Sequence, residues 1–156
     1  MKPSIPPPPP PPSERVSGVF RHHFEVPRSD QDELEHVSNV AYVRWVQDVA
    51  LAHSSHVGWP MARYRELGGV FVVRRHEIDY LRPTYAGETV ELRTWIESWS
   101  AVTSRRRTQI VRPADDVEVA RAVTTWALVR TDSGWPRRIP EELQRSFVDS
   151  LEGAGD

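Results

Sequence analysis

Between Asn39 and Val57 the apolar positions Tyr42, Val43, Trp45, Val46, Val49, Ala50 and Ala52 recur on two neighbouring helical stripes, while Arg44, Gln47, Asp48, Ser54 and Ser55 fill the other side. That spacing predicts a helix over 39–57 with an unusually wide apolar face. A surface helix needs an apolar arc of only about 100°, so this one is expected to lie deep in something that curls around it. Gly58 ends it, Trp59-Pro60 turns the chain, and residues 61–67 predict a short second helix before Gly68-Gly69. The period then changes from helical to alternating. Stretches 70–81, 88–98, 102–112 and 117–131 read as strands, separated by turn chemistry at 82–87 and 113–116. In the last of them Ala120, Ala122, Thr124, Trp126 and Leu128 share one face. Ahead of the helix, residues 16–26 read as a further strand ending at Pro27, followed by a polar loop over 28–35, and a short polar helix over 140–150 follows the last strand.

A strand, a long buried helix and then four strands in succession favour antiparallel pairing over a doubly wound parallel sheet. The economical architecture is α+β, one curved antiparallel sheet wrapped around the helix, which is the hotdog fold. The chain of 156 residues is expected to form one such domain over 16–150, after a proline-rich tail over 1–15 that can join neither helix nor sheet.

Composition narrows the chemistry. A formal charge of -2 gives no general affinity for nucleic acid or anionic membrane. The absence of cysteine excludes disulfides, thiolate metal sites and a cysteine nucleophile. No apolar run approaches the roughly 20 residues of a membrane span, and a cytoplasmic location is expected. Gly-x-Ser-x-Gly, phosphate-loop and dinucleotide fingerprints are missing from the sequence, as is His-Glu-x-x-His. His53 and His56 are spaced three apart without a third ligand, so no metal is expected.

The segment Asp30-Gln31-Asp32-Glu33-Leu34-Glu35-His36-Val37-Ser38-Asn39-Val40-Ala41-Tyr42 resembles the Asp-x-Asp-x-x-Gly-His-Val-Asn-Asn-x-x-Tyr signature of the 4-hydroxybenzoyl-CoA thioesterase-like hotdog family. Phe71-Val72-Val73-Arg74, Ile78-Asp79-Tyr80-Leu81-Arg82-Pro83 and Gly87-Glu88-Thr89-Val90 are similar to that family's second strand and its exit. The resemblance implies hydrolysis of an acyl-CoA or acyl-carrier-protein thioester, with coenzyme A entering as part of the substrate and no separate cofactor. It also implies a homodimer or homotetramer that shares sites between subunits. Asp32 would be the catalytic carboxylate, as nucleophile or as general base, and the backbone N–H at Asn39 would polarise the thioester carbonyl. Helix physics agrees with the second role, because the first N–H groups of a helix lack acceptors and sit at the positive end of its dipole.

His36 would support the loop or take part in proton transfer. Tyr42 belongs to the core first and to an acyl pocket second. Two positions depart from the signature. Glu35 replaces its glycine, which costs strain if the position needs a positive φ, and brings a second carboxylate toward the substrate. Ser38 replaces an asparagine and remains a good helix N-cap. In the strand over 70–80, strict alternation puts Arg74 and His76 on one face with Val72, Ile78 and Tyr80, which points to an interface or a substrate contact. Of Arg105, Arg106 and Arg107, at most two share a face, and a solvated face is expected ahead of a clamp on CoA phosphates. Two alternatives stay open: a hotdog hydratase or dehydratase acting on enoyl thioesters, and a non-catalytic acyl-CoA-binding module.

Overall fold

The structure, a computed structural model, describes residues 18–149, without the side chain of Asp149. The tail over 1–15 lies outside the described residues. In chain order the elements are β1 (Phe20–Glu25), a 3-10 turn (Arg28–Asp30), α1 (Asn39–His56), α2 (Met61–Leu67), β2 (Gly69–Tyr80), β3 (Thr89–Trp99), β4 (Thr103–Arg112), β5 (Val117–Arg130) and α3 (Glu141–Asp149). Each expected element is present, with ends shifted by a few residues.

All strand pairs are antiparallel, in the order β1-β3-β4-β5-β2. Register irregularities at Val73/Arg75, Ile96/Ser98 and Ile110/Val111 bend the strands, as bulges do, and let the sheet close on α1. Tyr42, Trp45, Val46 and Val49 of α1 meet Val90 and Leu92 of β3, Ile110 of β4, and Val119, Ala120 and Ala122 of β5 in one apolar core. Small residues on β5 leave room for the tyrosine and tryptophan of the helix. Complete burial of a side chain such as Val46 or Leu92 contributes on the order of 1.5–3 kcal/mol. A second core lies beyond the C-terminal half of α1, where Trp59, Tyr64, Leu128, Ile139, Leu143 and Phe147 join α2 and α3 to the sheet.

Two face assignments differ from simple alternation. On α1, Ser54 is buried under Trp59 and Tyr64, and its neighbour His53 is buried against Phe20, Arg106 and Phe147. Ser54 donates to the Trp59 carbonyl (2.8 Å) and lies 2.7 Å from the Tyr64 hydroxyl. On β2, Arg74 is the extra residue of the bulge, so pairing steps from Val73↔Trp126 to Arg75↔Thr125 and His76↔Thr124. Paired residues share a face. Val73, His76, Ile78 and Tyr80 therefore face the helix, while Val72 and Arg74 do not share that side as strict alternation predicts. No helix among the described residues is long and apolar enough to cross a membrane.

Candidate functional site

Residues 30–38 form a small hairpin that delivers the chain to the start of α1. Gln31 and Val37 make an antiparallel bridge, Asp32 N–H donates to the His36 carbonyl (2.7 Å), and Ser38 N–H donates to the Asp30 carbonyl (2.9 Å). At the tip, Glu35 N–H donates to the Asp32 carbonyl (3.0 Å), and Glu35 itself has φ 65°. A turn followed by one left-handed residue is the usual three-residue hairpin loop with a bulge, in which glycine is preferred at the left-handed position. The positive φ that the signature glycine implies is thus present, and Glu35 adopts it. Glu35→Gly is expected to raise stability by roughly 0.5–1 kcal/mol, as the strain released exceeds the chain entropy added. Urea unfolding checks this, and a destabilised variant would show that the Glu35 side chain holds the loop.

The hairpin is tied to the loop after β2. Val37 N–H donates to the Thr84 carbonyl (2.8 Å), Ala86 N–H donates to Gln31 Oε1 (2.9 Å), and the Tyr42 hydroxyl donates to Thr84 Oγ1 (2.8 Å). Tyr42 is a buried strut, its hydroxyl pKa raised by burial, and its ring meets Tyr80 edge-on at 5.3 Å. The His36 ring stands edge-on to Tyr85 at 5.6 Å.

Ser38 caps α1, its Oγ accepting from Ala41 N–H at 3.2 Å. Asn39 and Val40 come first in the helix and have no intrahelical acceptor for their N–H groups. Both residues are exposed, and the Tyr80 hydroxyl donates to the Asn39 carbonyl at 3.4 Å. The Asp32 side chain is exposed too, with Oδ1 accepting from Leu34 N–H (2.9 Å). Asp32, Glu35, His36 and Asn39 therefore belong to one hairpin-and-helix-start unit, with Tyr42 beneath it. Arg74 and His76 lie elsewhere. Arg74 is exposed at the bulge of β2, and His76 lies four residues before Tyr80, about 13 Å along the strand. His76 Nδ1 is 2.8 Å from Thr124 Oγ1, its Nε2 is buried without a partner, and burial lowers its pKa.

One residue of the unit carries a role that sequence reading did not assign. Asp30, rather than Asp32, is the buried aspartate, 4% exposed. Its Oδ1 pairs with Arg44, and its Oδ2 accepts from Trp45 Nε1 (3.1 Å). These contacts bolt the root of the hairpin to the first turns of α1. No local pattern separates the two aspartates; the visible sign was Arg44 beside Trp45 on the helix, a donor pair near a loop rich in acids. Of the arginine run, Arg105 and Arg107 both pair with Glu97, whereas Arg106 is buried instead of solvated. Among the described residues no cluster of three or more His, Cys, Asp or Glu side chains is placed to hold a metal ion.

The sequence model of the thioesterase-like superfamily matches residues 26–147, which includes the hairpin, the helix and all strands but the first six-residue one. The chain belongs to that superfamily. Protein THEM6 of Danio rerio is 32% identical over 127 residues, covering 81% of this chain and 61% of its own length. Oleoyl-acyl carrier protein thioesterase 2, chloroplastic, of Arabidopsis thaliana is 22% identical over 131 residues, covering 80% of this chain and 34% of its own. The chain thus spans less than two thirds of either curated relative. Among solved structures, a 1,4-dihydroxy-2-naphthoyl-CoA thioesterase from Synechocystis superposes with a TM-score of 0.77 at 17% identity, covering 84% of this chain and 96% of that one. At that identity the likeness establishes the hotdog fold of this superfamily member.

Proposed function

We propose that this member of the thioesterase-like superfamily hydrolyses the thioester of an acyl-CoA or acyl-carrier-protein substrate at the hairpin-and-helix-start unit. The observation that carries the reading is the joining, in one loop, of a carboxylate at Asp32 to a helix start at Asn39 with uncommitted N–H groups. An oxyanion formed from the thioester carbonyl would accept from these N–H groups, at the positive end of the α1 dipole. Asp32 would attack the carbonyl carbon or take a proton from the attacking water, and the thiolate of the carrier would leave. The names of similar proteins point both ways on the carrier, one being an acyl-carrier-protein thioesterase and another a CoA thioesterase. His36 would position the loop, and Glu35 and Tyr42 would border the acyl group. Arg74, exposed at the bulge of β2, would contact the substrate from a second copy, whereas His76 turns inward to Thr124 and its own helix.

The unit as it stands in one chain is open to water. Leu34, Val40, Tyr80 and Tyr85 around it are exposed by 72%, 75%, 41% and 41%. Apolar exposure of this kind marks a surface that is covered in use, and β2 is also an unpaired sheet edge. A homodimer, alone or within a tetramer, would cover both. Thiol release from a panel of short, long and aromatic acyl-CoAs, with light scattering on the same preparation, tests the reading. Expected are turnover of at least one acyl class and a mass of two or more chains. Tight acyl-CoA binding with no thiol release from any member would replace the enzyme by a binding module. An active monomer would remove the shared site.

A further inference from the structure

Beneath the C-terminal half of α1, the inner face of the sheet carries a cation without a counter-charge. Arg106 is 4% exposed in the middle of β4. Its Nη1 donates to His53 Nδ1 (2.8 Å) and to Thr94 Oγ1 (3.0 Å). Both acceptors are neutral, for burial first and the guanidinium second push His53 from 6.5 down to about 2. No carboxylate among the described residues lies within ion-pair distance of Arg106, although Arg105 and Arg107 beside it share Glu97 at 2.9 and 2.8 Å. Arginine does not escape this cost by losing its proton, since burial lowers its pKa only to about 10. Buried charges are ordinarily paired because an isolated one is expensive to hold out of water.

Arg106 lines a cavity of about 50 Å³ between α1, α2, α3 and the sheet. A second donor lines it as well: Trp126, 9% exposed, has a buried Nε1 with no hydrogen-bond partner. Ser54, Tyr64 and Ser104 complete the polar wall, and the first two already bond each other at 2.7 Å. Leu51 and Met61 border the same cavity and are 50% and 43% exposed, so its mouth is apolar.

We propose that this cavity binds an alkyl carboxylic acid, its carboxylate seated on Arg106 and Trp126 Nε1 and its chain leaving past Leu51 and Met61. A carboxylate supplies the single negative charge that one guanidinium lacks and matches its planar fork. An apolar mouth asks for hydrocarbon behind the head group. The carboxylate belongs to a molecule of its own, not to the far end of a short acyl group under hydrolysis. Asn39 and Leu51 are twelve residues apart on one helix, about 18 Å at 1.5 Å per residue. The proposal does not depend on thioester hydrolysis.

Isothermal titration of the full chain with octanoate and with octan-1-ol tests it. Octanoate is expected to bind at least ~10-fold more tightly than the alcohol, since only the acid satisfies the buried cation. Arg106→Gln should bring the two ligands level. Should that variant fail to fold, Trp126→Phe decides, because it removes one N–H while keeping an aromatic ring, and octanoate affinity should fall roughly tenfold. The proposal is overturned by equal affinity for acid and alcohol, by no binding of either up to millimolar concentration, or by unchanged octanoate affinity in Trp126→Phe.

Discussion

Asp32→Asn is expected to reduce thioester hydrolysis by at least ~10²-fold while leaving fold and oligomeric state intact, the loss typical of a removed general base or nucleophile. The hairpin makes this substitution informative. Asp32 also serves its own turn, its Oδ1 accepting from Leu34 N–H at 2.9 Å. An asparagine oxygen can accept the same bond, so the turn survives and only the charge is lost. Asp32→Ala would remove turn and charge together and could not separate them. The buried neighbour supplies the contrast: Asp30→Asn should lower stability, because it leaves Arg44 without its anion, with Trp45 Nε1 still able to donate. Steady-state rates and urea midpoints on both variants give four numbers. Full hydrolysis by Asp32→Asn on a confirmed substrate would end the proposed role of that carboxylate and direct attention to Glu35.

The second large effect is on stability. Lowering the pH from 7 to 5 is expected to destabilise the protein by about 2 kcal/mol through His53, at ~1.4 kcal/mol for each unit below its unfolded pKa. His53 is held at about 2 by burial, by Arg106 and by His56, against 6.5 when unfolded. Because the folded value is the lower one, the unfolded chain takes up the proton first as the pH falls. His53 therefore imposes no penalty above pH 6.5, and the loss grows from there down toward about 2. His76, whose pKa burial also lowers, acts with the same sign. The His53 ring has little freedom to escape, stacked on Phe20 at 5.2 Å and edge-on to Phe147 at 5.0 Å. His53→Gln keeps an acceptor for Arg106 but no longer titrates, so it should be less stable at pH 7 and lose less between pH 7 and 5. Denaturant midpoints at the two pH values measure the difference, and parallel losses in variant and parent would show that His53 is not the group responsible.

Arg106, His53 and Trp126 show what sequence reading leaves open in this protein. Each element was legible, since helix and strand periods are local properties. The apolar stripes over 39–57 and the alternation over 117–131 appear as α1 and β5 with nearly the expected ends. The loop chemistry was legible in part: the signature glycine that Glu35 replaces raised a positive φ as a condition, and Glu35 has φ 65°.

The sequence alone thus determined an α+β chain with one wide-faced helix, an antiparallel sheet, and a carboxylate-bearing turn leading to a helix start. Tertiary structure decided which side chains face inward. Alternation cannot foresee the bulge at Arg74, which reverses the side on which the rest of β2 lies, because a bulge depends on pairing with β5. It cannot tell that the middle one of three arginines is buried, because that requires β4 to be central in the sheet and α1 to cover it. Nor does it separate Asp30 from Asp32, two acids two residues apart, until Arg44 and Trp45 come round on the helix to claim the first. Burial and pairing are properties of elements brought together from distant parts of the chain, so the placement of each charge appears only once the sheet has closed on its helix.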